Sequence, residues 1–566
     1  MSNIVERVKL AINDIVVDSI KSAIKKGEFA DFELPEISLE TPREKEHGDF
    51  SCNCSMQLAR ALKKAPMQIA NVIIANMKID GTYVKKVECA GAGFINFYLN
   101  NLWLYDAIIA IQEEKSDYGK INIGKGKKVM VEFVSANPTG PLHMGNARGG
   151  ALGDSIASVL ECAGYDVKRE FYLNDAGNQI LKLGESLEAR YVQLLKGEDA
   201  FEFPEDGYHG EDISEHMQEF INLYGDKYLN EESQARRKIF GEFALKRNVT
   251  NIKKTLSSYG VDYDLWFSEN SLYENNEVSE TLEILKEKGH TYELDGAIWL
   301  RCSELGGEKD EVLVKSNGLP TYYAADIAYH RNKFEKRGFD WGIDLLGADH
   351  HGHVARMKYA LKALDINPDK LDIVLFQLVR LLKSGEIVRM SKRTGKAIAL
   401  EDLLEETGRD AARFFFNMKS SGVHLDFDLD LAVKQSNENP VFYVQYAHAR
   451  ICSILRVLEA EETSIVVVEV TAMDLEVLVK EEELELMKRL AELPEEIAGA
   501  ANSLEPSRLT RYIIDVAGLF HSFYNVCRIK GEEPQLIKAR LALANSTRTV
   551  IKNVLDLLKI SSPEKM

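Results

Sequence analysis

The stretch KKVMVEFVSANPTGPLHMGNARGGALGDSIASVLECAGYDVKREFYL constrains the fold more than any other in the chain. A strand with a nearly continuous apolar core, KKVMVEFVS, runs into a loop held by two prolines and a glycine; a helix-compatible run and a second strand, VKREFYL, follow. That order is a βαβ unit, which belongs in a parallel sheet with helices on its faces. Sheet-like segments return at AIWLRC, EVLVKS, IDLLGAD and DIVLFQLVRL, the last two alternating with helical stretches. From about Asn174 to Lys288 the chain reads as long, helical and acidic, interrupted by turn residues at FPEDGYHGED. One doubly wound sheet split by a helical insertion is the expectation.

At about 150 residues per domain, 566 residues imply roughly three or four domains. Residues 1–115 open with an amphipathic pattern (Ile4, Val8, Ala11, Ile12, Ile15, Val16, Ile20) and close with VKKVECAGAGFINFYLN, strands around a glycine turn, which together describe a small α+β domain. Gly91 and Gly93 lead into a strand and not a helix, so they mark a turn and no dinucleotide loop. The polar, glycine-rich SDYGKINIGKGKK reads as a linker or flexible loop into a sheet domain at 116–410, with its insertion at about 175–290. From Ala411 to Met566 strands disappear and helical periodicity takes over, as at Val441, Val444, Ala447, His448 and Ile451, giving an all-α bundle.

The formal net charge is −19, with 45% hydrophobic and 28% charged residues, the balance of a soluble globular chain. A uniformly acidic surface would repel phosphate, but this acidity is local. Val457–Ala500 carries thirteen acids against three bases and Tyr191–Phe240 twelve against five, while Ala501–Met566 has ten bases against six acids. Met1–Leu10 lacks a secretory apolar core, and no stretch approaches the roughly 18 apolar residues of a spanning helix, so a cytosolic chain without a membrane partner is expected. The seven cysteines show no CxxC spacing. Cys52 and Cys54 read as a CxC inside a helix, pointing to different faces, so neither zinc nor a disulfide framework is expected.

Two segments carry chemistry. In Ser135–Gly150 a loop opens a helix at Gly145, whose bare backbone lets a ligand approach. A helix N-terminus presents free N–H groups to a phosphate, and His143 sits where it could donate to the same charge. In Leu381–Leu400, Arg389, Lys392, Arg393 and Lys396 lie in a loop of small residues, cations of the kind that close over a triphosphate.

Together these segments resemble the paired signatures of class I aminoacyl-tRNA synthetases: His143-Met144-Gly145-Asn146 looks like HIGH and Arg389-Met390-Ser391-Lys392-Arg393 like KMSKS. The chain is most similar to bacterial arginyl-tRNA synthetases, through SANPTGPLHMGNARGGALGD, FYLNDAGNQI, LPTYYAADIAYH, LLGADHHGH, GRDAARFFF and the terminal SSPEKM. GDFSCNCSMQLAR and AGAGFINFYL extend the likeness to the N-terminal domain. The resemblance implies a Rossmann-like catalytic domain, an N-terminal domain that contacts tRNA and an anticodon-binding bundle. It implies activation of L-arginine by ATP, which brings Mg²⁺ on its phosphates, and transfer of the arginyl group to the 2′-hydroxyl of tRNA(Arg), in a cytoplasmic monomer.

By carry-over His143, Asn146 and Lys392 serve the chemistry. His143, Gly145, Gly347, Asp349, Met390, Ser391 and Lys392 hold ATP. Glu132 and Asn137 take the amino and carboxylate end of arginine, and Tyr322, Asp326 and Glu269 its guanidinium. Tyr322 and Asp326, spaced i and i+4, share a face if TYYAADIAY is helical. Two departures stand out. Asn146 replaces a second histidine and can donate a hydrogen bond but carry no charge, and Arg389 replaces the first lysine of KMSKS. His350, His351 and His353 lack accompanying cysteine or carboxylate ligands, and no metal is expected there. The two acidic segments, including a solvated face at Glu481, Glu482, Glu483 and Glu485, are expected to face away from tRNA.

Overall fold

A computed structural model describes residues 3–42, 44–388, 398–461 and 470–566. Its central sheet is parallel, with five strands in the order Leu371–Phe376, Trp341–Gly347, Lys128–Glu132, Asp166–Leu173 and Leu265–Ser268. Val129, Met130 and Val131 in the middle strand are fully buried, as a strand covered on both faces requires. The crossover helix Met144–Cys162 is buried along almost its whole length. A Cβ at Gly153 would lie 2.2 Å from the Phe133 ring, so helix and strand approach this closely only because that position is glycine.

The single doubly wound sheet is corrected in three places. Leu265–Ser268, inside the stretch that reads as a helical insertion, is an edge strand of the parallel sheet. Ala297–Leu300 and Glu311–Val314 leave that sheet and pair antiparallel, with Thr291–Leu294 as the third strand. Val379–Lys383 pairs with Glu386–Val388 and with Leu425–Asp428, a strand lying beyond Ala411 where only helices were expected. These strands have three to five residues, too few to display a period of two, and Leu265–Ser268 and Leu425–Asp428 take their partners from far along the chain.

The insertion helices Asn178–Lys196, Glu211–Tyr224 and Ser233–Ser258 enclose a core of their own around Leu187, Tyr191, Phe220 and Phe240. The N-terminal part packs helix Ile4–Lys25 and shorter helices on a four-stranded antiparallel sheet, with Gly91 and Gly93 at positive φ in the turn before Phe94–Leu99. Cys52 ends a strand and Cys54 opens a helix, its N–H donating to Cys52 Sγ at 3.4 Å, so the pair does not lie within one helix. The glycine-rich segment after Lys115 is clasped. Tyr118 is 2% exposed and donates to the Leu490 carbonyl, while Asn553 donates to the carbonyls of Lys115 and Tyr118.

The C-terminal helices Pro440–Glu461, Glu481–Ala491, Leu493–Ser503, Ser507–Val526 and Pro534–Leu557 form the bundle. A buried charge cluster ties it to the sheet region: Asp154 accepts from Arg413 (2.6 Å), Lys559 (2.8 Å) and Arg169 (3.1 Å). The acidic run is only partly a solvated face, because Glu483 is fully buried, accepts from Arg540 Nε at 2.7 Å and caps its own helix at the Lys480 N–H. No helix among the described residues is long and apolar enough to cross a membrane.

Candidate active site

The loop after the middle strand, the start of helix Met144–Cys162 and the end of strand Trp341–Gly347 enclose a cavity of about 960 Å³. The loop leaves the sheet through Val134 and Ser135 at φ +70° and +41°. A β-branched residue avoids that region, and such strain persists only where the surroundings enforce it. Here Ser135 Oγ donates to Glu132 and accepts from the Tyr172 N–H, Asn174 donates to the Ser135 carbonyl, and Asn248 of the insertion donates to the Pro138 carbonyl at 2.8 Å.

His143 caps the helix. Its Nδ1 accepts from the Gly145 N–H at 3.1 Å, and Asn146 Oδ1 accepts from the His143 N–H at 3.0 Å, a reciprocal capping box. Partial burial lowers the ring's pKa, which keeps it neutral. With Nδ1 accepting, the proton lies on Nε2, and that N–H is free to donate to an anion placed before the helix. Ala399 forms a bridge with His143, and the Leu400 N–H donates to the Leu142 carbonyl at 2.8 Å. The chain leaving the second basic segment is thus stitched to the histidine loop.

Acidic groups define the other end. Asp326 lies on helix Tyr322–Arg331 with a third of its side chain open to the cavity, and His353 Nε2 stands 3.7 Å from its Oδ2. Burial, reinforced by Glu132 and Asp344, raises its pKa to about 7. Glu269 is 3% exposed and has no cationic partner among the described residues; burial, then Asp326 and Asp175, raises it to about 7 as well. Burial lowers His353 to about 4, so it stays neutral beside them. A buried carboxyl and a partly open one that repel one another are a receptor for a cation.

Known proteins share this arrangement of domains. Residues 12–99 match the arginyl tRNA synthetase N terminal domain, 107–437 the catalytic domain of tRNA synthetases class I (R), and 444–566 the DALR anticodon binding domain. The arginine–tRNA ligase of Acetivibrio thermocellus is 66% identical and that of Ruminiclostridium cellulolyticum 64%, each over 566 residues covering all of both chains. The arginyl-tRNA synthetase structure of Thermus thermophilus, 22% identical, superposes with a TM-score of 0.72 over 99% of this chain and all of that one. The chain belongs to the arginyl-tRNA synthetase family.

Within this synthetase fold the expected residues divide into groups. His143, Gly145, Asn146, Glu132, Asn137, Asp326, Gly347 and Asp349 all line the one cavity. Tyr322 and Asp326 do share a helix, but Tyr322 is 59% exposed at its start, beside Gly177. Glu269 does not line the cavity; Asp326 and Asp175 are the acids that act on it. Asp349 is largely exposed and pairs with His350 at 3.6 Å. Met390, Ser391 and Lys392, with Arg389, lie outside the described residues. Glu132 is already engaged, its Oε2 accepting from Lys333 Nζ at 2.6 Å and Tyr329 Oη at 2.9 Å. Sequence reasoning missed Lys333, His330, Asp344 and Arg148. Arg148, fully buried, donates to the carbonyls of Gln377 and Ser420 and locks the synthetase helix in place. The one available signal was Asp344, an acid inside the apolar run WGIDLLG; Lys333 and His330 stand in the charged YHRNKFEKR, which gave none.

Proposed function

We propose that the cavity activates L-arginine with ATP and passes the arginyl group to tRNA(Arg). The observation that carries this reading is one cavity with a donor-rich helix start at one end and, at the other, the partly buried carboxyl of Asp326 with buried Glu269 near enough to repel it. The ATP phosphates, with their Mg²⁺, lie before the helix; His143 Nε2–H and the first-turn N–H groups stabilise charge growing on the α-phosphate as the arginine carboxylate attacks. Asn146 acts through the loop, fixing the His143 backbone. Lys392, with Met390 and Ser391, closes on the pyrophosphate. Gly145, Gly347 and Asp349 hold the adenosine.

Asp326 and Glu269 take the guanidinium, and Tyr322 borders it at the rim. Glu132 and Asn137 orient the amino and carboxylate groups. The 2′-hydroxyl of the terminal tRNA adenosine then attacks the adenylate carbonyl and AMP leaves, so the protein positions both steps without a covalent intermediate. Residues 1–115 and 411–566 hold the tRNA around the sheet domain at 116–410, in a cytoplasmic monomer. ATP–pyrophosphate exchange with each amino acid, with and without tRNA, tests the reading. Exchange should require arginine and tRNA; exchange driven by another amino acid overturns it.

A further inference from the structure

Three acids stand at the same level on three adjacent strands of the parallel sheet: Asp344 pairs in register with Glu132, and Glu132 with Glu170. Neighbouring strands lie only about 4.8 Å apart, so three carboxylates in a row repel strongly when buried. All three are 7% exposed or less.

One helical segment answers all of them. Lys333, fully buried, donates to Glu132 Oε2 at 2.6 Å and to Asp344 Oδ1 at 2.7 Å. Tyr329 Oη stands between Glu132 and Glu170, within hydrogen-bond distance of both, and Arg337 grips both oxygens of Glu170. His330 Nε2 meets the remaining oxygen of Asp344 at 2.8 Å while its Nδ1 meets the Asp326 carbonyl at 2.8 Å. Helix Tyr322–Arg331 continues as a π-turn, Asn332–Lys336, and Tyr329, Lys333 and Arg337, four residues apart along this segment, meet the carboxylates of the three strands. The carboxylates outweigh the burial of Lys333 and raise its pKa, so the ammonium stays charged.

The same helix carries Asp326 two turns earlier. We infer that Lys333 is a positioning residue for the amino acid: its ammonium, bridging Glu132 and Asp344, locks the helix bearing Asp326 to the strand end bearing Glu132. The two carboxylates thereby meet arginine at a fixed separation. This rests on the assignment of Asp326 and Glu132 to arginine.

The test is arginine-dependent ATP–pyrophosphate exchange, with tRNA, by Lys333→Met, Lys333→Arg and Asp326→Asn enzymes, measuring KM for arginine and for ATP separately. Lys333→Met should raise the arginine KM about tenfold or more while the ATP KM stays within about twofold, and the charge-retaining Lys333→Arg should recover most of the loss. If Lys333→Met does not fold, Lys333→Gln, which keeps a donor, carries the same expectation. An equal rise in both KM values, or an arginine KM unchanged in Lys333→Met, overturns the positioning role. An arginine KM unchanged in Asp326→Asn instead overturns the pocket assignment on which it rests.

Discussion

Arginine recognition should strengthen steeply between about pH 6 and pH 8. Asp326 and Glu269 both titrate near 7, chiefly because they are buried and secondly because acids face them. Glu269 faces Asp326, Asp175, Tyr172 and Tyr273; Asp326 faces Glu132 and Asp344 on the parallel sheet, His330 and Lys333 on its own helical segment, and His353 on the next helix. At about pH 6 a carboxyl of pKa 7 is ionised roughly one time in ten, and at about pH 8 nine times in ten. A guanidinium pairs with the ionised form. kcat/KM for arginine should therefore fall about tenfold from pH 8 to pH 6 if one ionised acid suffices, and toward about a hundredfold if both are needed.

Bound arginine favours the charged forms and lowers both pKa values, so kcat should stay flat and binding should release protons. His353, near 4, and Asp344, held well below the usual range by Lys333 and His330 against its burial, do not titrate in this window. The two acids repel, so the pair titrates in two joint steps. A raised carboxyl pKa favours the fold below the unfolded value of about 4, an advantage lost as pH rises through the folded one. Stabilisation by arginine in thermal unfolding should accordingly grow with pH. The kinetic assay is exchange at constant ionic strength, with Glu269→Gln flattening the profile. A kcat/KM independent of pH between 6 and 8, or a parallel fall in kcat, refutes the argument.

Two further outcomes follow from the geometry. His143→Ala and His143→Asn should both slow adenylate formation by about 10²–10³-fold, since each loses the Nε2 donor, whereas only the alanine also forfeits a cap worth about 1 kcal/mol; if the asparagine variant reacts at the normal rate, His143 is a cap alone. Asp154→Asn leaves the fully buried Arg413 without its counter-charge and should cost about 3–5 kcal/mol in denaturant unfolding. Three cations, Arg413 first, hold Asp154 below the ordinary carboxyl pKa despite its burial, so this contribution is present above the unfolded pKa and disappears as pH falls through the folded one. A gap between wild type and variant that does not close in acid contradicts the cluster.

What could be read from the sequence depended on how local the cause was. The strand Lys128–Glu132, the helix Met144–Cys162 and the strand Asp166–Leu173 were legible because each is long or strongly apolar and the loop between them is rich in turn residues. The edge strand Leu265–Ser268 was not, because four residues between helices take their conformation from the neighbouring strand. The glycine-rich segment after Lys115 looked mobile from composition, yet Asn553, 438 residues away in sequence, pins the Lys115 carbonyl.

The same division runs through the site. Residue order alone determined that a helix starts beside His143, that Tyr322 and Asp326 share a face, and which family the motifs resemble, since caps and i to i+4 neighbours are set within a turn or two of chain. Only the tertiary structure decided which acids already have a base beside them. Glu132 holds Lys333, 201 residues later, whereas Glu269, buried near Asp326, has no cation beside it among the described residues. Ionisation depends on desolvation and on charges a few ångströms away in space, and distance along the chain carries no information about either.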